Sequence, residues 1–95
     1  MNTIPTPPRD LDGSEADYPH RYEAMRNIRA LWSGWLVARD SLDRDLLAFA
    51  IDEERLRVCR GPGLLWQKFT GTLPGYRECE DHIASSMFSA LFHPE

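Results

Sequence analysis

The stretch 51–69, IDEERLRVCRGPGLLWQKF, decides the fold. Joined to the residues before it, it completes a helix over 42–60. Asp40 or Ser41 offers the N-cap, Asp43 and Asp45 fall in the first turn, and Gly61 followed by Pro62 reads as a left-handed cap and a stop. Read for two-residue alternation, the same stretch becomes a hairpin. The helix then ends near Ile51, Leu56 and Val58 alternate with Arg55, Arg57 and Cys59, and a Gly61-Pro62-Gly63 turn leads to a second strand through Leu64 to Phe69. A two-stranded hairpin alone is marginal in water and would have to lean on helices. The helix is therefore the preferred reading, with Leu42, Leu46, Phe49, Ala50 and Leu56 on one face and Leu47, Ile51 and Val58 on another.

Upstream, Tyr22, Met25, Ile28, Leu31, Trp32, Trp35 and Leu36 recur at spacings of three and four, the mark of an amphipathic helix. Pro19 suits its first position and Asp17 lies at the positive end of its dipole. These side chains cover about half the circumference, more than the ~100° stripe of an ordinary surface helix. Ala30, Gly34 and Ala38 form a strip of small residues on the other side, where a neighbour could approach closely. Downstream, Leu64, Leu65, Trp66 and Phe69 make a short apolar cluster of one or two helical turns. A last helix from about Pro74 carries Tyr76, Cys79, Ile83, Met87, Ala90 and Leu91 on one stripe, widened by Phe88 and Phe92. The expected fold is all-α, a small bundle of three main helices plus a short helical turn; the alternative is α+β, with a hairpin at about 55–69.

Residues 1–17 hold Pro5, Pro7, Pro8 and Gly13 with four acids, and read as a flexible, disordered arm preceding a single helical domain over 18–95. The chain has 95 residues, 42% of them hydrophobic and 11% aromatic, which excludes disorder throughout. Eleven Leu and eight Ala against six Val plus Ile favour helices over strands. A net charge of −4 argues against general nucleic-acid binding, which needs a basic surface. Ten of the eleven basic residues are Arg, read here as the codon bias of a GC-rich bacterial genome. No run approaches the ~18–20 apolar residues of a membrane span. The first thirty residues carry no signal-peptide core, so a cytoplasmic location is expected, with Cys59 and Cys79 as thiols.

Several constellations could carry chemistry. Cys79 and His82, one turn apart, are weak metal candidates, with Cys59, His93 and His20 as scattered further donors; no second close Cys/His pair completes a zinc site. Cys79, His82 and Glu78 or Asp81 are the right types for nucleophilic catalysis, but on one helix they would lie along its surface without a pocket. No phosphate-binding glycine loop is present, and no cofactor is expected. The chain is accordingly expected to be a non-enzymatic interaction module, of regulatory, adaptor or inhibitor type, working through an aromatic helix face. Trp32, Trp35, Trp66 and Tyr22 are its expected contacts, with Arg26 and Arg29 giving orientation, and its partner is another protein or a second copy in a homodimer. The alternative is a small DNA-binding regulator using Arg21, Arg26 and Arg29 of the first helix and Arg55, Arg57 and Arg60 of the second.

Overall fold

Helix α1 (Pro19–Val37) begins at the expected proline, and α2 (Ser41–Cys59) begins after Asp40, whose carboxylate accepts a hydrogen bond from the Leu42 amide at 3.0 Å. A short α3 (Leu65–Thr70) and a final α4 (Tyr76–Phe92) follow. The computed structural model describes residues 11–92, with side chains through residue 85. The protein is all-α, and the described residues contain no strand. The hairpin alternative is excluded by burial: a strand would put Leu56 and Val58 on the same side, whereas Leu56 is exposed and Val58 fully buried. The 3.6-residue turn separates them by about 200°.

The core is an antiparallel seam between α1 and α2. On α1 the buried or half-buried residues Arg21, Ala24, Ile28, Leu31 and Trp35 follow a three-four-three-four spacing, and on α2 they meet Leu47, Ala48, Ile51 and Val58. Leu65, Trp66, Phe69 and Leu73 from the α3 region and Tyr76, Cys79 and Ile83 of α4 complete the cluster. Helix α2 touches all three other helices, α1 most extensively. Of the strip of small residues, Gly34 sits beside α2, with Leu47 at ordinary contact distance from where its Cβ would stand, Ala38 is half-buried and Ala30 is exposed. The α4 stripe holds through Ile83; the side chains of Met87, Phe88, Ala90, Leu91 and Phe92 lie outside the described residues, as does His93.

One member of the seam is charged. Arg21 is 3% exposed, and its guanidinium donates to the Val58 carbonyl at 2.7 Å, to the Pro62 carbonyl at 3.0 Å and to the Asp12 carbonyl. Val58 lies in the last turn of α2, where carbonyls have no partner within the helix and carry the negative end of its dipole. This contact also explains Gly61. It is not the left-handed cap the sequence suggests, since the positive φ in this loop belongs to Gly63 at 78°. A Cβ at Gly61 would instead stand 2.5 Å from Arg21 Nη1.

Of the arm expected over 1–17, residues 1–10 lie outside the described residues. From Leu11 onward the segment is docked: Asp12 is buried, its carboxylate accepts from the Leu64 amide at 2.9 Å and from Lys68 Nζ at 2.8 Å, and the Tyr22 hydroxyl donates to the Gly13 carbonyl at 2.6 Å. The Lys68 hydrogen bond holds the Asp12 carboxyl below its ordinary pKa, against the opposing effect of burial and with help from the Leu64 amide and Arg21.

Two predictions test this junction. Arg21→Ala should cost roughly 3 kcal/mol in urea unfolding, because it strips three carbonyls of their donor. Gly61→Ala should cost upward of about 1 kcal/mol in the parent chain and much less beside Arg21→Ala, whereas additive costs would contradict the close approach. Separately, Asp12→Asn should lower stability near neutral pH, and the gap from the parent should close with acid. A carboxyl whose folded pKa is depressed contributes stability above its unfolded value, lost as pH falls through the folded one. A gap unchanged between pH 7 and pH 2 would refute the assignment.

Candidate functional site

The residues expected to form a docking face are largely used within the chain. Trp35 is 2% exposed; Arg44 of α2 stacks over its ring at 4.3 Å and His82 of α4 meets it edge-on at 6.2 Å. Trp66 is 9% exposed, between Phe69 and Tyr76, with Arg55 over its ring at 5.6 Å. These two tryptophans, expected on a contact surface, instead fill the core, because the seam needs large side chains where α1 and α3 turn toward α4. Tyr22 and Arg26 hold the 11–18 segment, Arg26 through an ion pair with Glu15 at 2.5 Å, and Arg29 lies over the Phe69 ring at 5.4 Å. Trp32 is half-buried, and its indole nitrogen has no hydrogen-bond partner among the described residues.

Several of the arginines expected to face nucleic acid are similarly engaged. Besides Arg21 and Arg26, Arg55 pairs with Asp52 at 3.6 Å, and Arg57 bridges Glu54 at 2.8 Å and Glu23 at 2.9 Å. Among the described residues these arginines interleave with acids, while Arg60 at the end of α2 is exposed.

The thiol and the imidazole of α4 are also used within the fold. Cys79 is buried among core side chains, and burial, with Glu80 adding to it and Arg44 opposing, pushes its thiol up to about 11. His82 is drawn to α2 instead, its Nε2 lying 2.6 Å from Asp45 Oδ1. Among the described residues, no group of three or more His, Cys, Asp or Glu gathers to hold a metal ion. A cleft of about 340 Å³ is lined by Asp52, Arg55, Tyr76, Glu80, Ile83 and Ala84. Burial raises the Tyr76 phenol well above its ordinary pKa, and Arg55 in the same cleft pairs with Asp52.

A row of uncovered apolar side chains lies on α2. Leu42 is 61% exposed, Leu46 60%, Phe49 42% and Leu56 59%. At 100° per residue these four fall within about 80° of one another and diametrically opposite Ile51 and Val58. Helix α2 therefore has two apolar faces, one in the core and one in solvent. The grouping of Leu42, Leu46, Phe49 and Leu56 is legible in the sequence; which group faces outward is not. Leu36 and Val37 at the end of α1 are also exposed. No described helix is long and apolar enough to cross a membrane.

Thiol reactivity checks this geometry. At pH 8 the exposed Cys59 should be alkylated rapidly in the native protein and Cys79 only on unfolding, giving one fast thiol per chain. Two equally fast thiols would be incompatible with the packing of α4. No family model matches the chain, and neither does any curated protein or solved structure.

Proposed function

We propose that this chain is a non-catalytic protein-interaction module of regulatory or adaptor type that docks a partner helix against the outer face of α2. The observation that carries the reading is the stripe of Leu42, Leu46, Phe49 and Leu56, each at least two-fifths exposed on a helix whose opposite face is already buried. Apolar side chains scattered singly over a surface need no explanation, but four in register along some 21 Å of one helix form a strip, broken only at the exposed Glu53. Fully burying side chains of this size is worth roughly 1.5–3 kcal/mol each. The stripe has the spacing of anchors used in helix-against-helix recognition, at intervals of four, three and seven residues. The docking face of this reading is therefore α2 rather than the tryptophan-rich side of α1, with Trp32 outside it. A cytoplasmic site of action agrees with the two unpaired cysteines.

The test is affinity capture with the full chain and a Leu46→Glu/Phe49→Glu variant whose helicity and unfolding midpoint are first shown to match the parent. Polypeptides retained by the parent, its own untagged copy among them, should fall at least tenfold with the variant. Equal retention by a folded variant would overturn the assignment of the surface.

A further inference from the structure

We propose that the cleft between α2 and α4 is a binding site for a small organic cation, a guanidinium or ammonium group on a short aliphatic stem, held by Glu80, Asp52 and the Tyr76 hydroxyl. The cleft, of about 340 Å³, is built by two helix faces. Asp52 and Arg55 stand one turn apart on α2, and Tyr76, Glu80, Ile83 and Ala84 follow along one side of α4. Tyr76 is only 4% exposed, yet its hydroxyl has no hydrogen-bond partner among the described residues. Buried polar groups in folded proteins are nearly always satisfied, and one that is not calls for water or a ligand. Burial is the main cause raising the pKa of this phenol; Cys79, Glu80 and Asp52 add to it and Arg55 opposes it. The three charged groups among these are the three on the cleft wall, which places the hydroxyl toward that wall.

Charge and shape select the ligand. Two carboxylates line the cleft against one guanidinium, and Arg55 is already committed, 3.6 Å from Asp52 and over the Trp66 ring at 5.6 Å. Glu80 makes no hydrogen bond or ion pair among the described residues, and Arg77, one turn before it, does not pair with it. A cleft with an unpaired carboxylate and an excess of negative charge attracts cations and repels anions. A guanidinium meets a carboxylate through two parallel N–H bonds, and an ammonium has three donors to share between carboxylates and the phenol oxygen. That oxygen accepts one N–H and keeps its own proton for a carboxylate. Ile83 and Ala84 supply the apolar wall along which the stem of a charged group lies while its head stays among polar partners. The volume falls at the low end of the ~300–1,000 Å³ of ligand pockets, which suits one such group and not a larger molecule.

Heteronuclear NMR on the full chain at neutral pH tests the site with three probes: butylguanidinium, N-acetylarginine amide, and butanol as the uncharged stem. The cations should shift the amides of residues 76–84 saturably, and butanol should not. Tyr76→Phe keeps the ring and removes only a hydroxyl that bonds to nothing described in the chain, so it should unfold at no lower urea concentration than the parent. It should nevertheless weaken butylguanidinium binding roughly tenfold, as should Glu80→Gln. Saturable shifts from butylguanidinium alone would assign the site to a free cation, and shifts from the arginine amide as well would extend it to a basic side chain. No saturable shift from either cation, equal shifts from butanol, or unchanged affinity in both folded variants would overturn the site. So would a clear loss of stability in Tyr76→Phe, which would mean that the hydroxyl is satisfied within the fold.

Discussion

A guanidinium placed in a helix–helix seam has to be met by acceptors on every side, because an ionised group leaving water for a protein interior loses solvation worth several kcal/mol. Arg21 occupies such a place, one turn before Ala24 in the buried row of α1, and its acceptors are main-chain carbonyls rather than a single carboxylate. Each carbonyl belongs to a different piece of chain: the end of α2, the loop before α3, and the segment leading into α1. The guanidinium also satisfies groups that would otherwise be buried without donors, so the junction balances two desolvation costs against each other. Asp12 then extends it to α3 through Leu64 and Lys68.

The opposite end of the seam is closed by a half-buried arginine of α2. Arg44 covers the Trp35 ring, and Asp45 beside it holds His82 of α4 at 2.6 Å. One end of the helical pair is thus fixed by hydrogen bonds to carbonyls and the other by a cation over an aromatic face. The first is directional and sets where the loops run. The second tolerates some rotation and serves to bring α4 onto the pair.

Much of this was legible in the sequence and some was not, for identifiable reasons. The starts of α1 and α2 are written in Pro19 and Asp40, and the end of α2 in the glycine-proline pair, because capping and chain-breaking are local chemistry. The buried row of α1 is written in its three-four spacing. Arg21 falls on that row, yet charge normally marks an outer face, and only the carbonyls gathered by the fold make it an inner one. Gly61 shows the same limit: composition identifies a loop glycine, but the reason no side chain fits there is a guanidinium forty residues earlier in the chain. The tryptophans were conspicuous as types, and type alone does not separate an interface aromatic from a core aromatic. Of the α2 surface, the sequence shows two apolar groups and cannot rank them, because periodicity records that residues share a face without recording what the face meets.

The two sides of α2 are tied together. Its inner side is held by α1 along the seam and by α3 and α4 beyond it, and its last turn is fixed through the Val58 carbonyl, two residues beyond the outward-facing Leu56. A helix clamped in this way keeps its outer stripe in one geometry, so a partner that binds there orders little beyond the side-chain rotamers, and the entropic cost of docking is correspondingly small. A flexible helix bearing the same four side chains would lose part of the gain from their burial in becoming ordered. The buried arginine that organises the fold therefore also steadies the exposed stripe of α2, the face proposed above for docking.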